Sequence, residues 1–208
     1  MKNRDYKKSG KGAIVHVYNR GNNREKIFCD EQDYKAFMFR LGLTLGFEPE
    51  ELKHELLFLP FSRIRISNPG KDKFILHNFC LMPNHFHLLI EQQADISIAK
   101  LMSQLCTSYA KYFNKKYGRV GHVFQDQFKS VLMESNSQLM WTCSYIHTNP
   151  IKDKLVNKIE NYKWSSYNDF VSDRKLPIVS TAFFKELFGS PEKFKQEMIR
   201  LSDVKDAL

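Results

Sequence analysis

Residues 73–92 read KFILHNFCLMPNHFHLLIEQ, two apolar-rich runs at 73–82 and 85–92 separated by Pro83-Asn84. Proline presets one turn dihedral and asparagine tolerates turn geometry, so the pair joins the runs as a hairpin. On a strand, side chains two apart share a face. His85 and His87 therefore project together, and Phe86, Leu88 and Ile90 project the other way. The outcome is a sheet with an apolar face and a pair of imidazoles on its reverse. Two neutral imidazoles so placed can share a metal ion. A pair of strand histidines that only form hydrogen bonds would show the same pattern.

Outward from the hairpin, AIVHVYNR (13–20) alternates as a strand and Gly21-Asn22-Asn23 supplies a turn. Asp30 caps a predicted helix over 31–45, with Tyr34, Phe37, Met38 and Leu41 at helical spacing. Ile98, Leu101, Leu105, Tyr109 and Tyr112 mark a second helix over 96–116, and 121–133 reads as a loop entering a strand. Asn136 or Ser137 caps a further helix, expected to stop near Asn149 because Pro150 disfavours helical geometry in the residue before it. Beyond it the chain is mixed helix and loop, with Trp164 and Tyr167 expected to pack on the main body. This order predicts an α+β fold: a ferredoxin-like antiparallel sheet with helices packed mainly on one face.

The chain has 208 residues, 42% of them hydrophobic, enough for a genuine core in one domain with appendages. Its 32 basic and 23 acidic residues give a net charge of +9, which favours a polyanionic partner without separating DNA, RNA and an anionic membrane surface. Cys29, Cys80, Cys106 and Cys143 form no CxxC pair, which argues against a zinc knuckle and a disulfide framework. With no apolar leader and no run of membrane-spanning length, a cytoplasmic, nucleoid-associated protein without a membrane partner is expected.

WTCSYIHTNP (141–150) is the second segment that can carry chemistry. Leu139, Cys143 and Ile146 form one helical stripe; Tyr145 lies on the other side, with Trp141 and Asn149 one turn away on either flank. Laid beside the histidine strand, such a helix could aim Tyr145 and Asn149 at one ion, the amide oxygen as third ligand and the phenol as nucleophile. A structural tyrosine, and an asparagine ending a helix before proline, would look alike. Tyr109 is a rival tyrosine, but its spacing with Leu101 and Leu105 places it in the core.

Together these segments resemble the HUH single-tyrosine transposases, above all the REP-associated tyrosine transposases within the IS200-like group. Met82-Pro83-Asn84-His85-Phe86-His87 is similar to that family's histidine motif, and Tyr145-Ile146-His147-Thr148-Asn149-Pro150 to its tyrosine motif. YNRGNNREKIF, SYAKYFNKKYGRVGHVFQDQFKS and YKWSSY follow in the family's order. The resemblance covers about 13–170, between a basic arm at 1–12 and a helical extension at 171–208, with an insertion expected at 47–72. It implies an HUH endonuclease core with Tyr145 as nucleophile and His85, His87 and Asn149 as ligands of Mg²⁺ or Mn²⁺. The implied activity is nicking and rejoining of single-stranded or hairpin DNA through a 5′-phosphotyrosine. Lys7, Lys8, Lys11, Arg20, Arg24 and Lys129 are the candidate DNA contacts, and both monomer and homodimer stay open. One departure falls at Gln125-Asp126-Gln127-Phe128-Lys129, where the family carries Gly and Arg in place of Asp126 and Gln127. Two rivals remain on the same fold: a non-catalytic nucleic-acid-binding regulator, and a hydrolase that uses water.

Overall fold

The computed structural model describes residues 9–56, 64 and 66–203. Strands β1 (Ile14–Arg20), β2 (Phe74–Met82), β3 (His85–Gln92) and β4 (Lys129–Leu132) form one sheet in the order β2-β3-β1-β4. Every neighbouring pair is antiparallel. Helix α1 (Glu31–Thr44) joins β1 to β2, and α3 (Ile98–Tyr117) joins β3 to β4. This is the split βαβ arrangement of ferredoxin-like folds, so the expected class stands. A short helix α2 (Pro49–Leu56) occupies part of the 47–72 segment, most of whose FLPFSRIRI stretch lies outside the described residues.

Local chemistry sets the helix ends. Asp30 accepts from the Asp33 backbone while the Asp33 side chain accepts in return, a capping box that starts α1. Ser97 caps α3, and Gly118 at φ +60° ends it in the left-handed region that glycine adopts without strain. Ser135, one residue before the expected caps, starts α4 (Asn136–Lys152).

Both faces of the sheet are covered. Val15, Val17, Leu76, Phe79, Leu81, Phe86, Leu88 and Ile90 pack with α1 and α3 in one core. Cys80, Met82 and Leu89 pack on the reverse with Leu139, Cys143 and Ile146 of α4. A bulge between Leu76 and Asn78 lets Leu76 and Phe79 share a face despite their odd spacing. Helices α5 (Tyr167–Val171), α6 (Ala182–Phe188) and α7 (Pro191–Asp203) complete the second core through Phe170, Phe184, Phe188 and Phe194. The helices, expected mainly on one face, are thus shared between two. Trp164 stacks on Tyr34 with centroids 4.4 Å apart, and Tyr167 is buried, as expected of both.

Helix α4 runs through Pro150 to Lys152, three residues past the expected stop. Proline removes one intrahelical donor. Here the Asn149 side-chain amide donates to the carbonyls of Tyr145 at 2.6 Å and Ile146 at 3.5 Å, the latter being the acceptor left by Pro150. The helix is pinned to the sheet by a buried polar chain. Ser166 Oγ donates to Asn78 Oδ1 at 2.9 Å and lies 2.9 Å from His147 Nε2, whose N–H donates to it.

Burial, and secondarily the Arg174 charge, lower the His147 pKa to about 3. A histidine neutral in the fold and near its ordinary pKa when unfolded takes up its proton only on unfolding, so its contribution is intact above about pH 6.5. It is lost as pH falls toward 3, at up to about 1.4 kcal/mol per pH unit for one proton. Urea unfolding across pH 7 to 4 should show a slope to which His16 and His85 also contribute, and His147→Gln, which keeps the bond to Ser166, should reduce it by one proton's share.

Candidate active site

The pleat of β3 sends His85 and His87 to the face that α4 covers, beside Cys80 and Met82, their partners in register. Strand β1 adds two rings to the same face. Tyr18 lies opposite His87 in the ladder, and His16 lies edge to edge with His87, centroids 5.1 Å apart. Tyr145 comes down from α4 edge-on to these rings, 5.4 Å from His87 and 6.2 Å from His16. Trp141, one turn earlier, lies parallel to the phenol at 5.6 Å. These residues line a cavity of about 380 Å³ with Arg20, Lys129 and the loop 125–127 at its edge. The two segments singled out in the sequence therefore meet, and the rings of His85 and His87 stand 5.1 Å apart at right angles.

Each histidine is held through Nδ1: His85 by Asn84 Oδ1 at 2.6 Å, and His87 by His16 Nε2 at 2.9 Å. The Nε2 atom of His87 is buried and has no hydrogen-bond partner among the described residues. Burial lowers the pKa of His16 and of His85 to about 4, with Arg20 adding to the effect on His85. His87 falls well below its ordinary value through burial and then through His16, His85 and Arg20. All three rings are thus neutral near pH 7, and of the His16–His87 pair one lone pair is taken up by the bond between them. Burial, then Tyr18, pushes the Tyr145 phenol up, while Arg20 and the Asn149 side chain oppose the rise.

An orphaned imidazole nitrogen beside a second neutral imidazole fits a divalent cation that also prefers oxygen and water. It does not fit a closed thiolate site. The four cysteines are free, and no group of three or more His, Cys, Asp or Glu among the described residues is arranged to hold a metal.

The other sequence candidates divide. Asn149 lies on α4 a turn beyond Tyr145, with its amide nitrogen given to helix carbonyls, and it is not among the residues that line the cavity. Arg20 and Lys129 are exposed at the cavity edge. Arg24 is exposed in the turn after β1, where its carbonyl accepts from Asn84. Lys11 is exposed at the opposite end of β1, and Lys7 and Lys8 lie outside the described residues. His77 is paired with Glu91 at 2.7 Å, and His122 is exposed; neither lines the cavity. His16 and Tyr18 were not singled out in the sequence. Their alternation in AIVHVYNR puts them on one face, but only the pairing with β3 reveals which face.

Residues 63–149 match the family model described as Transposase IS200 like. The likeness read from the sequence is borne out. The matched stretch contains β2, β3, α3, β4 and α4 through Asn149, hence both histidines and Tyr145. A Haemophilus influenzae protein described as a REP-associated tyrosine transposase is 30% identical over 100 residues. That match takes in 43% of this chain and 56% of the relative, so the chain spans about half the length of that relative. A solved structure described as a REP-associated tyrosine transposase bound to a REP hairpin superposes over 83% of this chain and 86% of that one. Its TM-score is 0.55 at 15% identity, a likeness of fold.

Tyr109, the rival tyrosine, is fully buried and its hydroxyl donates to the Ile27 carbonyl. Removing one partner of a buried hydrogen bond costs about 1–3 kcal/mol. Tyr109→Phe should lower stability by that amount in chemical denaturation and leave any DNA cleavage by the folded fraction unchanged.

Proposed function

We propose that this chain is a metal-dependent single-stranded DNA endonuclease and strand transferase of the tyrosine transposase kind. The observation that carries the reading is the edge-on approach of Tyr145 to His87, with His85 at right angles, in one cavity with a basic edge. His85 and His87 would hold Mg²⁺ or Mn²⁺ through Nε2, with the Asn149 amide oxygen as the candidate third ligand. Imidazole is softer than Mg²⁺ prefers, so Mn²⁺ is expected to bind more tightly.

In the proposed reaction the Tyr145 oxygen attacks a backbone phosphorus. A new Tyr–O–P bond forms, the P–O3′ bond breaks, the phenol loses its proton, and the departing 3′ oxygen gains one. The 5′ end stays on the protein as a phosphotyrosine, so a 3′-hydroxyl can reverse the step without a nucleotide cofactor. Tyr145 alone is poorly prepared for this, because burial raises its pKa and only Arg20 and Asn149 counter it. A bound divalent cation supplies the missing charge, lowering the phenol pKa and offsetting negative charge on the phosphoryl oxygens. Arg20 and Lys129 hold the strand at the cavity edge, and neutral His85 and His87 keep their lone pairs available.

Phenylalanine at 145 keeps the ring stacked on Trp141 and deletes the attacking oxygen. Tyr145→Phe should fold and bind DNA normally yet give neither nick nor covalent adduct on denaturing gels with 5′- and 3′-labelled strands. Wild-type adduct should carry only the 3′ fragment. The double change of His85 and His87 to Ala should abolish cleavage in Mg²⁺, and full activity there would sink the reading. Cleavage without adduct favours water as nucleophile, and binding without cleavage favours a regulator.

The substrate is proposed to be single-stranded or hairpin DNA, since in-line attack needs an unpaired, flexible backbone. The REP hairpin named with the structural neighbour supports the same choice. Affinity should exceed that for plain duplex at 0.15 M salt and fall steeply with salt, as counterion release requires. Equal binding of all three DNA forms in filter binding would contradict it.

A further inference from the structure

The ring nitrogens of the two β3 histidines are engaged in a common pattern. Asn84 Oδ1 lies 2.6 Å from His85 Nδ1. An amide oxygen only accepts, so His85 carries its proton on Nδ1 and keeps a lone pair on Nε2. For His87 the partner at Nδ1 is another imidazole, His16 Nε2 at 2.9 Å, and the proton can sit on either side of the bond. If His16 donated, the His87 proton would lie on Nε2, an atom buried with no partner among the described residues. Buried N–H donors without an acceptor are rare. If His87 donates, its Nε2 is a lone pair that a cation can fill.

Resting on the reading that His85 and His87 hold a divalent cation, we propose that His16 is a positioning residue whose Nε2 accepts the Nδ1–H of His87. It thereby fixes the tautomer and ring plane that present His87 Nε2 to the metal. Metal-bound histidines ordinarily donate their second N–H to a carboxylate, carbonyl or water. Here the acceptor is a third ring supplied by the neighbouring strand. Its ring packs beside both Tyr18 and His87, with centroids 5.1 Å from each, and these two rings are 5.8 Å from one another. A buried imidazole that accepts at Nε2 carries one proton only, on Nδ1, so His16 accepts from His87 without adding a like charge beside the cation.

The test uses the full chain and two variants. His16→Phe keeps an aromatic ring beside Tyr18 and His87 and deletes the acceptor; His16→Gln restores an acceptor oxygen of similar reach. Mn²⁺ binding is read from the electron paramagnetic resonance of the free ion, and the His87 tautomer from long-range ¹H–¹⁵N spectra of the metal-free protein. Loss of such a partner is expected to weaken metal affinity about 10–100-fold. His16→Phe should show that loss together with movement of the His87 proton away from Nδ1, and His16→Gln should recover most of both. The His85 tautomer, set by Asn84, should stay unchanged in both variants. Undiminished Mn²⁺ affinity in His16→Phe, or a wild-type His87 protonated on Nε2, overturns the proposal while leaving the metal site standing. A wild-type protein that never saturates with Mn²⁺ overturns the metal reading itself, and with it any ligand-positioning role for His16.

Discussion

Because successive residues of β3 must point to opposite faces, burying Phe86, Leu88 and Ile90 against α1 and α3 commits His85 and His87 to the face under α4. A shift of one residue in register would exchange the two sets and place two imidazoles in an apolar core. Antiparallel pairing with β1 excludes that slip and carries a second set of polar rings to the same place, since Tyr18 faces His87 in the ladder. The bulge in β2 serves the same end. By moving the face of the strand at His77 it lets Leu76 and Phe79 both join the first core while Cys80 and Met82 back the histidines.

The site lies between the second core and solvent, and that position explains its mixed character. On one side, α4 is fastened by Cys143 and Ile146 in the core and by the His147–Ser166–Asn78 chain. On the other, Trp141 and Arg20 reach the surface. Fastening the helix holds the Tyr145 ring within 5.4 Å of the His87 ring but partly buries the phenol and makes it a weaker acid. Burial has the opposite value for the histidines, which stay unprotonated with a lone pair to offer. In the proposed reaction the same desolvation would prepare His85 and His87 as ligands and handicap Tyr145 as nucleophile, and the positive charge of a cation would reconcile the two.

Much of the frame was legible in residue order. The hairpin 73–92, the strand expected over 13–20 and the helices expected over 31–45 and 96–116 follow from period, caps and turn chemistry, which act within a few residues and place the ends only to within one or two positions. The end of α4 was misjudged because the rule about proline considers the backbone alone, whereas the Asn149 side chain serves a carbonyl that Pro150 leaves open. The placement of α4 opposite α1 and α3 was also not legible, since an amphipathic stripe states that a helix packs without naming the surface that receives it.

Sequence by itself determined that His85 and His87 share one face, that Tyr145 stands opposite the Cys143 stripe, and that these motifs lie in an order similar to IS200-like transposases. Each of these is a matter of short-range periodicity or of motif order along the chain. Only the tertiary structure decided that Tyr145 meets His87, and that His16, 71 positions away in sequence, touches His87 through Nδ1. It also decided that Asn149 gives its amide nitrogen to its own helix. Those contacts depend on strand register and on which face of the sheet a helix covers, and both are set by packing between distant segments rather than by the local pattern of any one of them.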